Sequence, residues 1–153
     1  MIIRTAMILC GGLGTRLRPL GITEPKSMIK MKGIPFLSYL LIRLQNFGVQ
    51  RAILLAGYGA EAIKDYYGNV FDKIEINYSI EGTLGGTGGA IRDALLAYPN
   101  LDERILITNG DTLLMGNDRI ANMMDEREKI SIIVIKNETD SDQFDAIKTD
   151  RMG

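Results

Sequence analysis

The sequence predicts an α/β fold, in which helices connect the strands of a mostly parallel sheet. Short apolar segments typical of buried strands alternate with segments whose apolar residues recur at helical spacing. Glycine-rich or small-residue turns follow several of these strands, as in folds that bind ligands on their loops. The chain has 153 residues, of which 46% are apolar and 24% charged, which is enough for one domain with a real core.

The first four elements are two strands and two helices. Ala6–Leu9 is a short apolar run that stops at a glycine loop, which is typical of a buried strand. Pro35–Phe47 carries apolar residues along one helical face, with proline suited to the first turn and a glycine just past the end. Arg51–Ala56 predicts the second strand, and Ala60–Tyr67 predicts a short helix that ends near a glycine.

The remaining elements continue the alternation. Ile74–Ile80 has isoleucine or tyrosine at every second position and predicts a strand, and Thr87–Ala97 predicts the helix behind a second glycine cluster. Ile105–Thr108 predicts a strand, Asp118–Arg127 a helix and Ile130–Ile135 a fifth strand. Such an order favours right-handed crossovers and a mostly parallel sheet, whose ligands bind at the carboxyl ends of the strands.

Composition excludes several functional classes. The formal net charge is −1, which gives no overall basic field for nucleic acid, and no apolar run is long enough to cross a membrane. The amino-terminal segment lacks the pattern that is typical of a secretory signal. The chain has no histidine, which removes Ser–His–Asp chemistry and histidine metal sites. The chain has one cysteine, Cys10, which is consistent with a protein of the reducing cytoplasm. We expect Cys10 to be a small core residue. Any metal would be held by oxygen, which favours Mg²⁺.

The segment CGGLGTRLRPL follows the first strand and predicts a loop that cradles an anion. Its three glycines, Gly11, Gly12 and Gly14, allow close approach of the backbone to a ligand. Three cations then follow within eleven residues, at Arg16, Arg18 and Lys26. A polyphosphate accounts for both features. Leu17 breaks the dinucleotide fingerprint, and no Walker pattern occurs. The alternative is a tight strand-to-helix turn with solvated arginines.

The same segment resembles the signature of the sugar-1-phosphate nucleotidyltransferases, which reads GGxGTRLxPLT, then three residues, then PK. The spacing is kept through Pro25-Lys26, although Gly21 replaces the usual threonine and Ser27 stands where proline is common. The resemblance also covers Tyr78–Ile91, Asn109–Asp111 and Phe144–Gly153. It implies that residues 1–153 are a nucleotidyltransferase domain with a Rossmann-like, three-layer α/β/α fold.

The resemblance implies transfer of a nucleotidyl group to a sugar 1-phosphate. A phosphate oxygen attacks the α-phosphorus of a nucleoside triphosphate and pyrophosphate leaves, so catalysis consists of positioning and charge neutralisation. Arg16 would hold the triphosphate and the departing pyrophosphate, and Lys26 would act at the α-phosphate. Nucleotide-binding positions implied by the family are Gly11, Gly12, Gly14, Thr15 and Gly86.

Asp111 is the metal-binding position that the resemblance implies. It follows an apolar strand and Gly110, so its carboxylate would stand at the edge of the sheet, where Mg²⁺ could bridge triphosphate oxygens. From spacing alone, an aspartate in an ordinary Asn-Gly-Asp turn is the alternative.

Glu81 occupies the position at which, by the resemblance, the family has a residue that recognises the base. An ionised carboxylate accepts two hydrogen bonds, which suits the adjacent N1–H and 2-amino donors of guanine and favours GTP. YSIEGTLGGTGGAI resembles most the guanylyltransferases for mannose or heptose 1-phosphate, although Gly85 replaces a usual leucine. UTP, CTP or dTTP remain alternatives, as does an exposed glutamate that caps a loop.

The end of the chain resembles a family strand that precedes a hairpin. We therefore expect the acceptor-binding portion, which selects the sugar, to be largely absent from these 153 residues. We also expect weak nucleotide binding, poor turnover and an exposed sheet edge that favours homo-oligomers. A non-catalytic nucleotide-binding or regulatory module is the second hypothesis, and transfer to a non-sugar phosphate is a third.

Overall fold

A computed structural model describes residues 3–12, 19, 21, 23–80, 82 and 85–113 of the chain. The described strands are β1 (Thr5–Leu9), β2 (Lys30–Met31), β3 (Ile34–Pro35), β4 (Arg51–Ala56), β5 (Val70–Phe71), β6 (Ile74–Ile80) and β7 (Ile105–Asn109). The helices are α1 (Phe36–Asn46), α2 (Ala60–Tyr67) and α3 (Gly86–Ala97), and a 3₁₀ turn covers Lys26–Met28.

The predicted parallel sheet is confirmed. The main sheet has the order β5-β6-β4-β1-β7, and each pair is parallel except β5 with β6. In the register of the central strands, Leu9 lies opposite Leu55 on one side and Asn109 on the other. The carboxyl ends of β1, β4 and β7 therefore lie side by side, and the loops that leave them start at the same edge.

Helices cover both faces of the sheet. Along β4, Ala52 and Leu54 pack on one face with the core residues of α1 and α2, whereas Ile53 and Leu55 pack on the other with Ala90 of α3. Burial of a central strand on both sides explains its continuous apolar sequence. The three-layer α/β/α arrangement expected from the sequence is therefore confirmed.

Several element boundaries differ from the sequence predictions. Helix α1 begins at Phe36, because Pro35 pairs with Lys30 in the small β2–β3 hairpin that the sequence analysis did not predict. Gly48 follows the helix with φ +94°, as expected for the glycine past a helix end. Helix α3 begins one residue early, at Gly86. The predicted elements Asp118–Arg127 and Ile130–Ile135 lie outside the described residues.

None of the helices in the described part of the chain is long and apolar enough to cross a membrane.

Within the described residues, β7 is the last strand on its side of the sheet, and Ile107 is 42% exposed there. The expectation of self-association through a sheet edge stays a prediction.

Candidate functional site

A cleft of about 480 Å³ opens where β1, β4 and β7 end. Its walls are formed by the first glycine loop, the 3₁₀ turn, the start of α3 and the turn after β7, including Gly11, Gly12, Lys26, Gly86 and Asp111. The start of the first glycine loop, the end of the second glycine cluster and the Asn-Gly-Asp turn thus gather at one edge of the sheet, the edge at which the sequence analysis expected ligands to bind. The reason is topological, because parallel strands deliver all their following loops to the same edge.

The turn after β7 packs tightly against β1. The Gly110 amide donates a hydrogen bond of 2.9 Å to the Leu9 carbonyl, and a β-carbon at Gly110 would lie 2.9 Å from Cys10 Sγ and 3.0 Å from that carbonyl. Only glycine fits this approach without displacement of neighbouring atoms. Gly110 therefore sets the position at which the next residue, Asp111, leaves the sheet.

The 3₁₀ turn presents Lys26 to the cleft. The Met28 amide donates to the Pro25 carbonyl at 2.8 Å, and Ser27 and Met28 are buried. Because the residues on its carboxyl side are held in the core, the Lys26 backbone is fixed while its side chain stays 57% exposed. The sequence motif did not reveal this turn, which carries no helical periodicity of its own.

Lys26 and Asp111 meet across the cleft. The Lys26 Nζ atom lies 2.6 Å from Asp111 Oδ2, and the Asp111 side chain is 33% exposed. Both residues come from the sequence motifs, on loops that follow different elements. The fold thus brings together the predicted phosphate-binding cation and the predicted metal-binding carboxylate.

Helix α3 directs its amino terminus at the same cleft. Gly86, with φ +66°, and Thr87 line the cleft, and the first turn of the helix has no acidic residue. Free amides and the helix dipole favour an anion at such an end. A β-carbon at Gly85 would lie 3.0 Å from the Gly89 Cα atom, so the two glycines pack closely at the start of the helix.

Cys10 lines the cleft but is buried in the core. Burial raises the pKa of its thiol from 9.0 to about 12, and the nearby negative charge of Asp111 acts in the same direction. The thiol is therefore protonated at neutral pH, and a nucleophilic thiolate is excluded. This agrees with the interpretation of Cys10 as a core residue.

The structure adds lining residues to which the sequence analysis gave no role. The polar ones include Ser27, which was noted only as a departure from the family pattern, and Thr87, at the first turn of α3. The available signals were the place of Ser27 beside Lys26 and the place of Thr87 in the second glycine cluster. Gly14, Thr15, Arg16 and Glu81 lie outside the described residues, so their roles stay predictions.

A glycine-lined cleft at the carboxyl edge of a parallel sheet, with a lysine and an aspartate in it, is typical of α/β proteins that bind ligands on the loops after their strands. Residues 5–153 match the Nucleotidyl transferase family, and this chain belongs to that family. The resemblance drawn from the motifs is therefore confirmed.

Similar proteins include guanylyltransferases. The chain is 44% identical over 110 residues to the D-glycero-α-D-manno-heptose 1-phosphate guanylyltransferase of Aneurinibacillus thermoaerophilus, covering 72% of this chain and 47% of that protein. It is 35% identical to the protein of the same name in Campylobacter jejuni, covering 95% of this chain and 63% of the relative. The mannose-1-phosphate guanylyltransferase of Mycobacterium tuberculosis is 36% identical, with 78% of this chain and 33% of the relative covered. The chain thus spans less than two thirds of each.

Solved structures share the fold. HddC from Yersinia pseudotuberculosis, in complex with GMP-PN, has a TM-score of 0.62 and 37% identity, with 71% of this chain and 48% of that chain covered. A UDP-glucose pyrophosphorylase in complex with UDP-glucose has a TM-score of 0.68 at 20% identity, covering 80% of this chain and 52% of that chain. The second likeness bears on the fold alone.

Proposed function

We propose that this chain is the nucleotide-binding part of a sugar-1-phosphate guanylyltransferase, which transfers GMP from GTP to the sugar phosphate and releases pyrophosphate. The observation that carries the proposal is the meeting of Lys26 and Asp111 at 2.6 Å, in a cleft bounded by the glycine loop and the start of α3. A cation, a carboxylate and free amides are the groups that a metal–triphosphate requires.

The glycine loop would hold the phosphate chain through its backbone. A β-carbon at Gly12 would meet nothing within 4 Å, so this side of the loop has room for a ligand. Gly11 and Gly12 would contact the nucleotide through main-chain atoms, and Gly14, Thr15 and Arg16 would continue the cradle. The amides at the start of α3, at Gly86, would favour the same negative charge.

Lys26 would lower the repulsion between the two phosphates that react. Its ammonium is a compact permanent charge, and the 3₁₀ turn holds its backbone at the mouth of the cleft. Charge neutralisation at the α-phosphate assists attack by the oxygen of the sugar phosphate without any protein nucleophile. The buried, protonated Cys10 is consistent with such a reaction.

The donor set fits Mg²⁺ carried by a nucleotide. The described residues contain no group of three or more Asp, Glu, Cys or His side chains that could hold a metal by themselves. Mg²⁺ commonly binds one or two carboxylates together with substrate phosphates, and Asp111 supplies a partly exposed carboxylate at the cleft. Bound there, Mg²⁺ would neutralise charge on the triphosphate.

GTP is the proposed nucleotide. The relatives at 44%, 35% and 36% identity are named guanylyltransferases, and Glu81 has the acceptor pair that guanine requires. A heptose or mannose 1-phosphate is the proposed acceptor class on the strength of the same names. The reaction would take place in the cytoplasm, where the single buried cysteine needs no oxidising conditions.

The competing hypothesis is a nucleotide-binding module without catalysis. Lys26 and Asp111 together favour the transferase, because a sensor of nucleotide needs no metal-bound chemistry at the α-phosphate. Release of pyrophosphate from GTP, at any rate that Lys26→Met abolishes, would decide for the transferase. A comparison of heptose 1-phosphate, mannose 1-phosphate and phosphocholine would then separate a sugar acceptor from a non-sugar phosphate. Because we expect poor turnover from these 153 residues, binding of GTP with Mg²⁺ is the primary test.

Calorimetry with GTP, UTP, CTP and dTTP in the presence of Mg²⁺ tests the binding step. We expect GTP to bind most tightly and Lys26→Met to weaken it by about tenfold or more, since a charge-assisted contact is lost. Lys64→Met, on an exposed position of α2, is the matched control. Equal affinity for all four nucleotides would remove the assignment of GTP, and absence of any binding would remove the proposed function.

A further inference from the structure

We propose that the turn between β4 and α2 positions Lys26, with Tyr58 and Gly59 as positioning residues that act through the segment before the lysine. The proposal concerns how Lys26 is held, and its link to nucleotide binding rests on the proposed function. This turn belongs to neither glycine cluster, and the motifs gave it no role.

Tyr58 holds the chain two residues upstream of Pro25. Its hydroxyl donates a hydrogen bond of 3.1 Å to the Thr23 carbonyl, although the two residues lie far apart in the sequence. Tyr58 is 36% exposed, so the contact lies at the surface and not in the core. Removal of the hydroxyl alone would take away this restraint on the Thr23 backbone and leave the aromatic ring in place.

Gly59 lies directly against the Pro25 ring. It has φ +72°, and a β-carbon at this position would overlap Cγ of the Pro25 ring. Pro25 is buried against this glycine, so the turn and the proline fit only because residue 59 lacks a side chain. The position of Pro25 therefore depends directly on the turn.

The turn between β4 and α2 is itself held in place by hydrogen bonds and by buried neighbours. Strand β4 ends at Ala56 in the centre of the sheet, the Ala60 amide donates to the Gly57 carbonyl at 3.2 Å, and the Ile63 amide donates to the Gly59 carbonyl at 3.3 Å. Ala60 and Ile63 are buried in the core. The turn is thus fixed by the sheet and by the first turn of α2.

A displacement of Pro25 would also move Lys26, the next residue along the chain. The Pro25 carbonyl accepts the 2.8 Å bond from the Met28 amide that closes the 3₁₀ turn. The Lys26 side chain is 57% exposed and its Nζ pairs with Asp111 Oδ2 at 2.6 Å, so the position of its backbone limits where the ammonium can reach. A small shift at residue 25 would move the ammonium relative to Asp111 and to a bound phosphate.

Tyr58→Phe tests the first contact, and Tyr39→Phe is its matched control. Tyr39 also donates its hydroxyl to a main-chain carbonyl, that of Met31 at 2.9 Å, on the hairpin beyond Lys26. We expect Tyr58→Phe to weaken binding of GTP with Mg²⁺ by about threefold, and Tyr39→Phe to leave it within about 1.5-fold. In a Lys26→Met background, Tyr58→Phe should change binding by less than about 1.5-fold, because the residue acts through the lysine.

Gly59→Ala tests the second contact. Gly68→Ala is the control, since Gly68 also has positive φ, +54°, but a β-carbon there would meet nothing within 4 Å. Gly59 is in the left-handed helical region (φ +72°, ψ +20°), whereas Gly68 (φ +54°, ψ −140°) is in a region that L residues avoid more strongly. Alanine should therefore strain Gly68 at least as much, and the overlap with Pro25 arises only at Gly59. We expect Gly59→Ala to weaken GTP binding by about tenfold relative to Gly68→Ala at matched folded fraction, and this excess should vanish with Lys26→Met.

A readout without nucleotide separates this proposal from the proposed function. Acetylation of the Lys26 amine, followed by mass spectrometry, should be about threefold faster in Gly59→Ala than in Gly68→Ala, because the pair with Asp111 is loosened. Faster acetylation in a protein that binds no GTP would support the positioning role while removing the proposed function. Equal acetylation in the two variants, or a GTP effect that persists in Lys26→Met, would overturn the positioning role.

Discussion

Lys26 Nζ lies 2.6 Å from Asp111 Oδ2, so the cation and the carboxylate that face the cleft neutralise each other. Both side chains are partly exposed, at 57% and 33%, which keeps the pair weak enough to exchange. A divalent cation at Asp111 and a phosphate at Lys26 would each have to compete with this internal partner. Binding of the cation to Asp111 would free Lys26 for phosphate, and binding of phosphate to Lys26 would free Asp111 for the cation. We therefore expect the metal and the nucleotide to bind cooperatively.

Lys26→Met should raise the affinity for Mn²⁺ alone by about fivefold, which corresponds to about 1 kcal/mol for the loss of a charge close to the carboxylate. The same change should lower the affinity for GTP with Mg²⁺. Electron paramagnetic resonance titration of Mn²⁺ measures the first effect. Lys64→Met is the control, because that exposed residue of α2 is not among those that line the cleft. Weaker Mn²⁺ binding in Lys26→Met would contradict the competition.

Gly110→Ala should reduce the free energy of unfolding by about 2 kcal/mol, because its β-carbon would press on Cys10 Sγ and the Leu9 carbonyl at 2.9 and 3.0 Å. Urea unfolding followed by circular dichroism measures the loss. Gly88→Ala is the comparison, since a β-carbon there meets nothing within 4 Å and alanine favours the helix. Equal stability of the two variants would show that the turn after β7 can shift to accommodate a β-carbon.

Leu54→Ala should cost about 3 kcal/mol of unfolding free energy, since this side chain is fully buried in the centre of the sheet. Leu96→Ala removes the same atoms from a position of α3 that is 74% exposed, and should cost less than about 1 kcal/mol. Denaturant unfolding of both variants measures the difference. A similar loss from both would contradict the dependence of the cost on burial.

Alkaline pH should destabilise the fold through Cys10. Below its ordinary pKa of 9.0 the thiol is protonated in both states and adds no pH dependence. As the pH rises from 9.0 towards the folded value of about 12, the unfolded chain ionises while the folded thiol stays protonated, so the free energy of unfolding falls. The slope is at most about 1.4 kcal/mol per pH unit.

Urea unfolding of the unmodified protein and of Cys10→Ala, at about pH 8 and about pH 10.5, isolates this contribution. Burial also raises the pKa of Tyr67, but that residue is present in both proteins. We expect the cost of Cys10→Ala to shrink at the higher pH. A cost that is independent of pH would show that the thiol ionises equally in both states.

The sequence was informative where the pattern is local. Arg51–Ala56, Ala60–Tyr67 and Ile74–Ile80 have the predicted boundaries, because apolar runs, helical spacing and flanking glycines act within a few residues. Strands of two residues, such as Lys30–Met31 and Val70–Phe71, are too short to show a period, and they were missed. Pro35 was assigned to a helix because its pairing with Lys30 cannot be read from its neighbours.

By itself, the sequence determined the α/β class, the family and the edge of the sheet at which the glycine loops gather. These follow from periodicity, motif spacing and the direction of parallel strands. Only the tertiary structure decided that Lys26 pairs with Asp111, that Gly110 must lack a side chain beside Cys10, and that Gly59 supports Pro25. Each of these contacts joins segments far apart in the chain, and their distances depend on how the layers pack and not on any local pattern.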